Sequence, residues 1–154
     1  MQAKEWTFIE KKHWGPGPWA RESDKYQFMD EATGLPCLIV RNELGALCGY
    51  VGVSEGHPAY QKDWDSVEAE VHGGLTFADT CQPDAEHDIC HVVEEGEDDK
   101  VWWLGFDTAH AGDYVPGYPV SVSKIFRDRG DRYRDVEYVR GQCRNLAAQL
   151  AEMK

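Results

Sequence analysis

Asp107, His110 and Asp113 follow one another at three-residue intervals in the loop that leaves the apolar run Val101-Trp102-Trp103-Leu104-Gly105-Phe106. The small residues Ala109, Ala111 and Gly112 separate them, so little bulk keeps the polar groups apart. Imidazole and carboxylate side chains are the ordinary ligands of zinc and other transition ions, and also ordinary general acids and bases. His72, in Val71-His72-Gly73-Gly74-Leu75, supplies a fourth such group if its segment neighbours the 101–106 strand. The candidate metal set is therefore His72, Asp107, His110 and Asp113, with a divalent metal ion as the candidate cofactor. The competing reading gives the two aspartates to loop hydrogen bonds and leaves the histidines as structural donors.

A wider ligand site adds His57, Gly73, Gly74 and Trp102. Paired glycines expose amides that can cradle an anion. His57, in Gly56-His57-Pro58, is a candidate acid or base. Trp102, with Tyr50, Tyr60, Trp64 and Trp103, would line an aromatic pocket for a flat, nucleotide-like ligand. Cys81, His87, Cys90 and His91 make a poor zinc knot, because paired ligands at zinc are usually closer in sequence and Cys90 and His91 would point to opposite faces of a strand. The five cysteines are odd in number and contain no Cys-x-x-Cys pair, which predicts reduced thiols.

The elements that must position these residues can be read from periodicity. Alternation at Trp6 and Phe8 suits a short strand, and Trp14-Gly15-Pro16-Gly17-Pro18-Trp19 breaks regular structure, so residues 1–33 form a Trp/Pro/Gly-rich N-terminal region with one further strand at 25–29. Residues 37–41 and 46–53 are β-branched runs around Asn42-Glu43-Leu44-Gly45 and predict a hairpin. Gly49 and Gly52 within it mark a close approach to the backbone. Val67, Ala69 and Val71 alternate with Glu68, Glu70 and His72, predicting a strand over 67–78 with His72 on the glutamate face. Ile89–Val93 reads as a short strand, and Glu94–Asp99 as a solvated loop. Val136, Val139, Cys143, Leu146, Ala147, Leu150 and Met153 form one apolar stripe, predicting a helix over 131–153 with Asp131 as its cap. The expected fold is α+β: a mainly antiparallel sheet built from hairpins in a β-rich body over 34–117, covered by a C-terminal amphipathic helix, all in a single domain of 154 residues.

The net charge is −12, and it is uneven: residues 1–123 hold 8 Lys/Arg against 23 Asp/Glu, residues 124–154 hold 8 against 5. Direct nucleic-acid binding is disfavoured, since phosphate contacts supply most of such affinity. Nine Asp/Glu fall within residues 79–99, an acidic run that suits a basic protein surface. The polar Met1–Trp6 stretch is unlike a signal peptide, and no apolar run has membrane-spanning length. These features predict a cytoplasmic protein with no membrane contact.

The strings Gly49-Tyr50-Val51-Gly52-Val53, Val71-His72-Gly73-Gly74-Leu75-Thr76-Phe77 and Trp102-Trp103-Leu104-Gly105-Phe106-Asp107-Thr108-Ala109-His110-Ala111-Gly112-Asp113 resemble a family of small proteins encoded by bacteriophages and prophages. The resemblance spans about residues 34–117 and implies a bacterial host cytoplasm; it brings no catalytic residues with it. Two functions are compatible with the residues. The first is a phage-type accessory protein with a small-molecule or metal pocket at the end of the 101–117 stretch. The second is an acidic, non-enzymatic protein that occupies a host protein.

Overall fold

The computed structural model describes residues 1–81 and 88–154. Six strands form one antiparallel sheet: β1 (Lys4–Trp6), β2 (Lys25–Met29), β3 (Pro36–Arg41), β4 (Leu47–Ser54), β5 (Phe77–Thr80) and β6 (Val101–Asp107), in the order β1-β2-β3-β4-β6-β5. Two helices, α1 (Val120–Arg129) and α2 (Val136–Ala151), close the chain. The architecture is α+β, as the hairpin pattern predicts. The β3–β4 hairpin turns where expected: Asn42 Oδ1 accepts the amides of Leu44 and Ala46, and Gly45 takes φ +96°.

Alternation along the strands sorts side chains onto two faces. One carries Phe28, Cys37, Ile39, Leu47, Val51, Leu104 and Phe106, and α2 lies over it with Val139, Cys143, Leu146, Ala147 and Leu150 fully buried. Gly49 provides the clearance, because a Cβ there would overlap the Phe106 ring and Cys143 Sγ. The opposite face carries Leu38, Val40, Cys48, Tyr50 and Trp103, and Ile89 from the β5–β6 connection packs on it.

The structure corrects several sequence expectations. Residues 67–76 are not a strand, and only Phe77–Thr80 pairs with β6. Val67, Ala69 and Val71 do turn inward, as their alternation implies. Their segment lies beside α2, where side-chain amides replace a strand partner. Gln149 Oε1 accepts the Glu70 amide (2.7 Å), Gln149 Nε2 and Asn145 Nδ2 donate to the Glu70 carbonyl (2.7 and 2.9 Å), and Gln142 Oε1 accepts the His72 amide (3.0 Å). Residues 89–93 form no strand either. The helix predicted over 131–153 starts at Val136, with Asp135 as its cap accepting from the Tyr138 amide; Asp131 instead pairs with Arg129. α1 has no counterpart in the predicted elements; its apolar side chains are too exposed to mark a stripe, Val120 at 86% and Ile125 at 58%. Reduced thiols hold for Cys37, Cys48 and Cys143, which are free and buried, whereas Cys81 and Cys90 form a disulfide. His87 of the zinc-knot pattern lies outside the described residues.

The N-terminal region is fastened to the body by a buried charge. Arg41, the last residue of β3, continues the inward alternation of Cys37 and Ile39 and is 0% exposed. All five of its N–H groups are used: Nε donates to Asp24 (2.9 Å), Nη1 to the Gly45 carbonyl (3.0 Å) and Tyr133 hydroxyl (2.7 Å), Nη2 to Glu22 (3.2 Å) and the Ser23 carbonyl (3.1 Å). Asp24, also fully buried, accepts from the Phe8 and Ile9 amides and from Lys11 as well. Burial pushes the Asp24 carboxyl up, but the Lys11 and amide hydrogen bonds outweigh it and hold the group below its ordinary range. Glu22 reaches on to the Val136 amide at 2.7 Å, at the positive end of α2. Removing one member of a buried ion pair typically costs about 3–5 kcal/mol. Arg41→Ala is therefore expected to lower unfolding free energy by that order, while Lys124→Ala, at the Lys124–Asp128 pair exposed on both sides, leaves the urea midpoint nearly unchanged.

Candidate functional site

Asp113 organises the loop that follows β6. It is 3% exposed, and its carboxylate accepts from His72 Nε2 (2.8 and 3.0 Å), Arg134 Nε (2.9 Å) and the His110 amide (3.0 Å). A carboxylate only accepts, so His72 Nε2 carries a proton; in the neutral ring Nδ1 then accepts from the Tyr138 hydroxyl at 2.7 Å. Tyr138 is at the start of α2, and Arg134 lies 4.9 Å above its ring. Residues 112–114 are held against residue 132 by two backbone bonds, Arg132 N–H to the Gly112 carbonyl and Tyr114 N–H to the Arg132 carbonyl. Burial raises the Asp113 carboxyl, yet the bonds from His72, the His110 amide and Arg134 together hold it below the usual carboxylate range.

A second imidazole–carboxylate pair sits beside the first. His110 Nε2 lies 3.0 Å from Asp107 Oδ1, and the two histidine ring centres are 6.3 Å apart. That Nε2 is buried but out of line for a hydrogen bond. Asp107 is shared with its own loop, accepting from the Ala109 amide (3.0 Å) and from Thr76 Oγ1 (3.3 Å). Gly73 makes the arrangement possible. It takes φ +68°, and a Cβ there would fall 2.2–2.3 Å from His110 Cδ2 and Nε2, so the imidazole occupies the space of the missing side chain.

The structure thus brings His72, Gly73, Asp107, His110 and Asp113 together. His72 has turned inward at the Gly73-Gly74 bend, away from the exposed Glu68 and Glu70 with which its alternation grouped it. His57 and Trp102 stand elsewhere. His57 Nε2 meets the Leu150 carbonyl at 2.7 Å and Nδ1 accepts the Ala59 amide, at the C-terminal end of α2. That is twelve residues, about 18 Å of helix, from Tyr138. Trp102 donates Nε1 to the Lys62 carbonyl near the far end of β6, about 17 Å of strand from Asp107. Among the described residues, no three His, Cys, Asp or Glu side chains are arranged to hold a metal ion. Both Asp113 oxygens are already committed, one of them to a guanidinium.

A cleft of about 500 Å³ lies along the chain that follows Asp113, with Tyr114 among its lining residues. Its walls include Trp14, Tyr114, Pro116 and Tyr118, and Lys124 and Arg127 of α1 stand at its rim. Tyr114 is stacked on Trp19 at 5.7 Å, Trp14 is 6% exposed, and Arg127 donates to the Tyr114 hydroxyl at 3.0 Å. None of the residues expected to line a pocket, His57, His72, Gly73, Gly74, Trp102, Asp107, His110 or Asp113, lines this cleft; its lining comes from Tyr114 onward, including α1, and from the N-terminal region. Arg127 and Lys124 carry no readable sign because α1 shows no apolar period, and Tyr118 stands in the Pro/Gly turn before it. The Pro/Gly-rich tryptophan loop was the signal for the wall opposite.

No protein-family model matches the chain, and comparison with curated proteins and with solved structures returns no match.

Two outcomes test this geometry. The Asp113 carboxyl is lowered in the folded state, so its stabilisation is complete above the ordinary carboxylate pKa of about 4 and is withdrawn as pH falls through the folded value. Asp113→Asn should be clearly less stable than wild type at pH 7, with the gap closing in acid, as read by urea unfolding across pH. Gly73→Ala should displace the His110 ring and shift its imidazole NMR signals. Gly74→Ala, at a residue with φ +79° and nothing within 4 Å of a Cβ, should strain the backbone but leave those signals in place.

Proposed function

We propose that this protein binds a small, flat, anionic molecule of nucleotide-like character in the Tyr114–Tyr118 cleft, and that binding rather than turnover is its activity. The observation that carries the reading is the cleft's composition: aromatic and proline walls with Arg127 and Lys124 against the one carboxylate of Asp128, in a chain of net charge −12. A ring of a ligand would stack on the partly exposed Tyr118, and its anionic group would meet Arg127 and Lys124. Lys124 already pairs with Asp128 at 2.6 Å, so Arg127, whose neighbour is a neutral hydroxyl, supplies the stronger attraction. The Asp113 cluster acts behind the wall by fixing where Tyr114 stands. A divalent ion at His72, Asp107, His110 and Asp113 would have to displace Arg134, which makes the cleft the better supported site. Calorimetric titration with adenosine and guanosine monophosphates tests the reading. Saturable binding weakened at least about tenfold by Arg127→Gln and by Tyr118→Ala is expected, a loss of about 1.4 kcal/mol or more. Absence of binding at millimolar nucleotide, or binding indifferent to both substitutions, overturns it.

A second reading has its own support. Glu94, Glu95, Asp98 and Asp99 are exposed on the turn between β5 and β6, a cluster suited to a basic partner protein. Glu97 is different, pairing with the N-terminal amine at 2.7 Å. Charge reversal at the four exposed positions should abolish a salt-sensitive host complex and leave nucleotide binding intact. The setting we propose for either activity is the bacterial cytoplasm of a phage-infected or lysogenic cell. Three buried thiols support that compartment and the Cys81–Cys90 bond does not. No helix among the described residues is long and apolar enough to cross a membrane.

A further inference from the structure

α2 packs mainly on β4 and β3, and toward β2 its Arg140 side chain lies over the buried Tyr26 and Phe28. A cavity of about 870 Å³ lies at the end of β2 beside this side of α2, lined by Phe28, Met29, Asp30, Glu31, Arg140 and Arg144 among others. A smaller one of about 300 Å³ continues it along Lys4, Glu5 and Tyr26, sharing Phe28 and Arg140. The Arg140 guanidinium rests 4.7 Å above the Phe28 ring and 5.8 Å above Tyr26. Arg144 follows one helical turn later, so the two cations project from one side of α2 about 6 Å apart at Cβ.

Their charge is unspent. Arg41, Arg129 and Arg134 each pair with a carboxylate, but among the described residues none stands within ion-pair distance of Arg140 or Arg144. The acids at this rim do not cancel them. Asp30 is 4% exposed and its Oδ2 is turned back to the Thr33 amide (3.2 Å) and hydroxyl (2.6 Å), while Glu31 is exposed to solvent. Two guanidinium groups without a carboxylate partner stand over this cavity, and Arg140 is already oriented by its aromatic neighbours. A planar fork held in place loses less freedom on binding and suits an oxyanion bidentately.

We propose that Arg140 and Arg144 form a second binding site, for the phosphate or carboxylate group of a small ligand whose apolar part lies along Phe28 and Met29. The volume is of the size that holds a small organic molecule. This site is independent of the Tyr114–Tyr118 cleft.

The test is an NMR titration of the full chain with inorganic phosphate and, separately, with benzoate. Saturable shifts confined to residues 28–32 and 140–144 are expected from at least one anion. Phosphate alone would indicate a phosphorylated ligand; stronger binding of benzoate would indicate a carboxylate carried on an apolar body. Arg140→Gln and Arg144→Gln should each weaken binding about tenfold or more, equivalent to about 1.4 kcal/mol. The double variant should abolish binding while keeping the wild-type circular dichroism spectrum. Arg140→Lys, which keeps charge without the fork, should fall between, and Arg127→Gln should have no effect, which separates this site from the first. No saturable shift with either anion, or the same shift in Arg140→Lys and Arg140→Gln as in wild type, overturns the proposal.

Discussion

A guanidinium removed from water must find partners for every N–H it carries, and Arg41 meets that constraint by drawing in three parts of the chain. Asp24, Glu22 and the Ser23 carbonyl come from the N-terminal region, the Gly45 carbonyl from the β3–β4 turn, and the Tyr133 hydroxyl from the approach to α2. Glu22 then accepts the first amide of the helix that buries the sheet face, beside the Asp135 cap. Core packing alone would tolerate small shifts among these parts, but a buried network of directional bonds permits one arrangement. The tryptophan loop that walls the cleft is placed through this network, since Lys11, Phe8 and Ile9 are all bonded to Asp24.

Asp113 repeats the device on a smaller scale. Its carboxylate gathers a histidine from the segment before β5, an arginine before α2 and an amide of its own loop. Each anchor is a buried carboxylate facing arginine, and each secures a tryptophan or tyrosine that forms the cleft. The acidic balance of the chain is thus partly internal: some of its carboxylates are tension members between elements and contribute nothing to the outer surface.

Much of the fold was legible because burial imposes a period. The β3–β4 hairpin, the strand at 25–29 and the α2 stripe all follow from residues that face a core. The 67–76 segment shows the limit, since alternation reports which side chains are buried and says nothing of what partners the backbone. The convergence of His72 with Asp107, His110 and Asp113 was visible as a pattern of residue types joined by small residues. Their use was not, because the partners that commit them, Arg134 and Tyr138, come from sequence 20 residues and more away. His57 and Trp102 were grouped with the site by type, and chain geometry separates them. Arg41 carried a readable sign, a charge at an inward position of an otherwise apolar strand. α1 carried none.

The extended stretch held by Gln142, Asn145 and Gln149 is, in effect, a peptide bound in cis. Its backbone contacts at Glu70 and His72 are made by side-chain amides on one helix face, so its departure would break no rung of the β-ladder. The imidazole that completes the Asp113 cluster is thus carried on a stretch fastened by a helix face, which rejoins the sheet where the Thr76 amide meets the Gly105 carbonyl of β6.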